Sequence, residues 1–152
     1  MSPYQRLLAA IVQLPRRVPG NAPPSPTDKL WPANTHSDPD VLVPASPTVA
    51  YQCTYQTTLN NPKGGTLVGD MITFTDTALA DLTTSFNTAG QPSMSCPAGR
   101  EDQVVQNMRF NFVYPDGGSA IVDQLGANCS TITNGTLTKQ APNLPSSTRP
   151  AP

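Results

Sequence analysis

The residues whose chemistry is easiest to place are three cysteines, Cys53, Cys96 and Cys129. None forms a Cys-x-x-Cys pair, so neither a zinc-binding pair nor a dithiol redox motif is present. Cys96 precedes the strand pattern VVQNMRFNFVY, and Cys129 follows its hairpin partner SAIVDQL. The two open ends of a hairpin lie together, which is the geometry a disulfide requires. A Cys96–Cys129 bond is therefore expected, and closing a loop of that length contributes on the order of 3 kcal/mol in the chain-entropy account. Cys53 is then either a buried free thiol or half of an intermolecular bond. The competing reading is three reduced core cysteines in a cytosolic protein, since cysteine is among the most buried residue types.

Acid–base and metal chemistry have few carriers. The single histidine, His36, lies in HSDPD with Asp38 and Asp40, a set that could hold a metal but reads more simply as a solvated turn. Glu101 and Asp102 could supply half of a carboxylate pair with Asp116 or Asp123; the simpler reading is an exposed acidic turn. There is no Ser-x-x-Lys or Gly-x-Ser-x-Gly nucleophile motif and no Gly-rich phosphate loop, the glycine pairs starting at Gly64 and Gly117 being turn material. No catalytic residue, metal ligand or cofactor is expected, and the chain does not read as an enzyme.

The elements that would carry these residues follow from periodicity. YQCTYQ is a strand of β-branched and aromatic residues, and TTLNNPKGG a loop. TLVGDMITFT alternates, with Leu67, Ile72 and Phe74 inward and Gly69 marking a bulge. Asp76 or Thr77 should cap a helix carrying Leu79, Leu82 and Phe86 on one face and ending near Asn87–Gly90. VVQNMRFNFVY places Met108, Phe110, Phe112 and Tyr114 on one strand face, and PDGG turns it into SAIVDQL. STITNGTLT offers two short strand pieces around Asn134–Gly135. The order β-β-α-β-β-β predicts an α+β fold, one helix packed on a small antiparallel sheet. Its expected core is Leu67, Ile72, Phe74, Leu79, Leu82, Phe86, Met108, Phe110, Phe112, Ile121 and Leu125.

The 152 residues include 18 prolines and only 12% charged side chains. Ten prolines lie in residues 1–47, and because proline removes a donor and fixes φ, residues 15–47 read as a polyproline-like or disordered linker. Residues 141–152 read as a disordered tail, leaving 48–140 as the domain. Ser2 and Pro3 suit the start of a helix over residues 1–14, with Leu7, Leu8, Ile11 and Leu14 on one face. It reads as a docking helix, a secretory signal with Arg6 ahead of LLAAIV, or the product of a misplaced start. The net charge of −1 argues against a nucleic-acid partner, and no apolar run reaches the roughly 20 residues that span a bilayer.

YQCTYQ, the Cys96-Pro97 pair, MRFNFVYPDGG and CSTITNG, in that order over residues 51–136, resemble a set of small exported cysteine-containing proteins of actinobacteria. That resemblance implies an extracellular or cell-envelope location and carries no activity with it. The order of helix, Cys-Pro loop and hairpin closed by a late cysteine is also similar to the subtilisin-inhibitor family. This second resemblance implies a protease-binding loop with a scissile bond at Ala98–Gly99, flanked by Met94, Pro97 and Arg100. The chain departs from that family in lacking a second disulfide and the apolar residues after Cys-Pro, and Gly99 loosens a loop that should be stiff. The expected function is a non-catalytic extracellular or envelope-associated binding module whose partner is an unknown protein or envelope component. The alternatives are a subtilisin-inhibitor-like protease inhibitor and an assembly component whose proline-rich arms order on binding.

Overall fold

The structure is a computed structural model that describes residues 22–93, 95–96, 99–126 and 129–142. The helix expected over 1–14, the first part of the linker, the tail beyond 142, and Met94, Pro97 and Ala98 lie outside the described residues. The elements are β1 (Val49–Thr58), β2 (Thr66–Phe74), α1 (Asp76–Asn87), β3 (Val104–Val113), β4 (Ser119–Leu125), β5 (Thr131–Thr133) and β6 (Thr138–Gln140). They form a mixed α+β fold with one six-stranded sheet in the order β2-β1-β3-β4-β5-β6, every neighbouring pair antiparallel. One more strand forms than the expected order counts, because the two pieces around Asn134–Gly135 pair as separate strands.

The expected bulge is present. Gln52 pairs with Ile72 and Thr54 with Val68, so β2 spends extra residues there, and Gly69 takes a φ of 70° that suits glycine. The helix begins one residue earlier than Asp76 or Thr77 would have it. Thr75 is the extended N-cap, with no side-chain cap bond, and Asp76 sits in the first turn. The helix ends at Asn87, as its punctuation predicts.

Period-two alternation sorts the sheet into two faces. On the inner face, Ala50, Phe74, Phe110, Phe112, Val122 and Ile132 pack against Leu79, Leu82 and Phe86 of α1. Phe86 stands edge-on to Phe110, with ring centroids 4.9 Å apart, a geometry the ring quadrupoles favour. Of the expected core, Leu67, Ile72, Met108 and Leu125 are only half-buried. Ile121 is buried, but on the outer face, where it packs with Cys53, Tyr55 and Trp31.

Trp31 marks the main departure from the sequence reading. Residues 22–47, expected as linker, lie against the domain and belong to it. Prolines deny this segment a ladder or helix, yet they do not stop isolated side chains from being buried. Trp31 covers the outer face at 8% exposure, and Leu42 and Val43 enter the inner core at 1% and 0%. The backbone is satisfied one bond at a time instead of by a ladder. The Leu67 amide donates to the Pro24 carbonyl, that of His36 to Ser119, and that of Thr48 to Val113. The Asn87 side chain brackets Val43, accepting from its amide at 2.9 Å and donating to its carbonyl at 2.8 Å. The sheet is therefore covered on both sides, by the helix on one and by the arm on the other.

Candidate functional site

The residues with chemical potential are dispersed by the fold. Cys96 and Cys129 form a disulfide, with Cα atoms 5.9 Å apart. Cys53 is a buried free thiol. Burial pushes it up to about 11, against a hydrogen bond with Tyr55 that pulls the other way, so it stays protonated at neutral pH. The carboxylates take separate partners. Asp102 faces Arg100 at 3.5 Å on the open surface, Asp116 bonds His36, and Asp123 bonds Arg109. His36 turns away from the HSDPD turn, in which Asp38 accepts from the Asp40 amide. Among the described residues, no group of three or more His, Cys, Asp or Glu could hold a metal. Of the loop read as a protease-binding surface, Gly99 and Arg100 are exposed. A Cβ on Gly99 would collide with the Leu59 side chain, so glycine there permits close packing as well as freedom.

His36 stacks on Tyr114 with centroids 4.2 Å apart and bonds both Asp116 oxygens at 2.9 Å. The Tyr114 hydroxyl donates to the Pro44 carbonyl, so this clasp fixes the arm to the β3–β4 turn at two points. The Gly118 amide, then the His36 ring, hold the Asp116 carboxyl below its ordinary value. A carboxyl depressed in the folded state adds stability above its unfolded value near 4, which is lost as pH falls through the folded value. Carbon-detected NMR titration should find Asp116 titrating below an ordinary aspartate, and lower than it does in His36→Gln.

A second clasp sits on the outer face. Arg109 and Asp123 are directly opposed across β3 and β4 and make a two-pronged contact at 2.7 and 2.9 Å. Their side chains are 21% and 27% exposed, so the pair is largely desolvated. The remaining guanidinium nitrogen donates to the Pro26 carbonyl at 2.6 Å, and the guanidinium lies 5.2 Å from the Trp31 ring centroid. The Trp31 indole donates to Ser25 and the Tyr55 hydroxyl to Pro23. One arginine thus holds the arm to the sheet. Arg109→Ala strands a carboxylate and frees Trp31, and should cost about 2–3 kcal/mol, read as a lower denaturant midpoint with unchanged slope.

Between the arm, the outer face and the β5–β6 turn lies a cleft of about 500 Å³. Its walls are Pro26 and Pro32 of the arm, Pro62 and Lys63 of the β1–β2 loop, Ile121 and Leu125 of β4, and Asn134 of the turn, with Arg109 and Asp123 in its lining. The exposed lining is mostly carbon. The asparagine side chains around it are engaged in holding the fold. Asn34 accepts from the Ile121 amide, Asn107 donates to Pro62 and accepts from Gly126, and Asn134 donates to Asp38 and Val41. A cleft of this size falls within the range of small-molecule sites.

No family model, curated protein or solved structure matches the chain.

Of the cleft's described lining, the sequence offers only Asp123 as a candidate, and that as half of a carboxylate pair with Glu101 or Asp102, neither of which lines the cleft. Arg109 and Asp123 were the available signal. They are equidistant from Asp116, the centre of the five-residue Tyr114–Gly118 turn, and that register makes them partners.

Proposed function

We propose that the chain is a non-catalytic binding domain of the extracellular space or cell envelope, and that its ligand site is the cleft between the arm and the outer sheet face. The observation that carries this reading is the cleft itself, whose volume falls within the range of small-molecule sites, about 300–1,000 Å³. Among the described lining residues the one carboxylate, Asp123, is ion-paired with Arg109, which is engaged in holding the arm. The disulfide suggests an oxidising environment, as in exported proteins. No described helix is long and apolar enough to cross a membrane. The test is a ligand-observed NMR screen of fragment-sized compounds, with hits mapped on amide spectra. Hits should move the amides of Thr27, Lys63, Ile121, Asp123 and Thr133; an absence of hits, or hits that map elsewhere, overturns the reading.

The subtilisin-inhibitor-like reading has one observation in its favour: the disulfide anchors the chain at the start of the Cys-Pro loop. Titration against subtilisin and trypsin separates the two. The cleft reading expects no inhibition. Stoichiometric inhibition that is lost when Ala98 is changed would establish the inhibitor instead.

A further inference from the structure

The cleft's charges do not balance. Asp123 is neutralised by Arg109, whose three nitrogens are all committed, two to Asp123 and one to Pro26. Among the described residues of the lining, Lys63 is the remaining charged one, and no described carboxylate lies within ion-pairing distance of it. Its place is set by a tied loop. The Asn61 amide donates to Thr58 and the Gly64 amide to Asn61. The Asn61 carbonyl also accepts from the Thr57 hydroxyl, and the Pro62 carbonyl from the Asn107 side chain. Gly64 and Gly65 make the return feasible. A Cβ on Gly64 would overlap the Asn61 side chain, and Gly65 takes a φ of 126°. The tied loop thereby places an exposed lysine in the lining of a mostly apolar cleft that also includes Pro26, Pro32, Ile121 and Leu125.

We infer that the cleft takes a small amphipathic anion, its apolar body against the proline and β4 walls and its single acidic group on the Lys63 ammonium. This rests on the cleft being the ligand site and adds the chemical class of the ligand. Ammonium is a strongly hydrated point charge with three donors and suits a carboxylate, sulfonate or phosphate without demanding planarity. The attraction is strengthened where apolar walls exclude water, and it weakens with salt.

The test uses two fluorescent probes of one skeleton, 8-anilinonaphthalene-1-sulfonate and the neutral N-phenyl-1-naphthylamine, with the full chain. The sulfonate should bind with one-to-one stoichiometry, about fivefold more weakly in Lys63→Gln or in high salt, while the neutral probe is unaffected by either. Leu125→Trp, which fills the cleft, should remove both probes. Thr27→Trp blocks it from the exposed arm and serves as the second variant should Leu125→Trp fail to fold. If Lys63→Gln leaves sulfonate binding unchanged while the blocked variants lose both probes, the anion assignment is wrong and the cleft stands. If the blocked variants still bind, or neither probe binds, the cleft fails as well.

Discussion

A chain shortened to begin at Thr48 is expected to lose cooperative unfolding, and Leu42→Ala in the full chain to cost about 3 kcal/mol. The reason is where the arm's apolar side chains end up. Leu42 and Val43 are buried in the same cluster as Phe86, Phe110 and Phe112, and Trp31 closes the other face over Cys53, Tyr55 and Ile121. Truncation opens both faces of the sheet at once. It also strands Asn87, which loses both bonds to Val43, and Arg109, which loses Pro26 and Trp31. A small domain has roughly 5–15 kcal/mol of stability to lose, so exposure on this scale should leave an aggregating or molten species. The point variant isolates packing from the entropy of the deleted chain, because it removes a buried side chain and leaves the arm's length intact. Thermal and urea melts followed by circular dichroism measure both. A truncated chain that melts cooperatively at the full-length temperature would show that the arm contributes nothing.

Reduction of the Cys96–Cys129 bond should lower the melting temperature by roughly 10–15 °C, from a loss of about 3–4 kcal/mol. The bond closes 33 residues of sequence separation and joins the segments that enter β3 and leave β4. Both are irregular. Gly90 on one side accepts from Gln140, and Ser130 on the other accepts from Ala141, which leaves β6 held largely by these loops and by the three-residue strand β5. Without the crosslink, β5 and β6 should exchange amide hydrogens first, ahead of β1 and β3. Calorimetry with and without a reductant, and with Cys96→Ser, gives the shift. Equal melting temperatures would mean that the unreduced chain gains nothing from the crosslink.

How much of this was legible depended on whether a residue belonged to a period. The helix face and the Met108–Phe110–Phe112 stripe repeat strictly, and they fold where that repetition puts them. Ile121 and Leu67 repeat too, but alternation leaves open which face a strand presents, and they lie on the outer one. Trp31, Leu42 and Val43 belong to no repeat. They are apolar residues among prolines, and composition pointed to a linker because it weighs the absence of ladders and not the burial of single side chains. The cleft was hidden for the same reason, since the arm supplies one wall. The Arg109–Asp123 pair follows from counting outward from Asp116, once the turn is known to be the five residues Tyr114–Gly118. That it would clamp Pro26 and Trp31 depends on contacts 83 and 78 residues apart in sequence, which no local pattern encodes.

The arm and the outer sheet face together line the cleft. Amide hydrogen exchange of the full chain, read by mass spectrometry with and without saturating anilinonaphthalene sulfonate, tests this most directly. Peptides covering residues 28–47 should be protected to a degree comparable with β1. The probe should then slow exchange further in residues 24–34, 60–64, 121–125 and 133–135, with little change along α1. Arm peptides exchanging at the rate of an unfolded chain, or probe protection centred on α1 or β2, would contradict it.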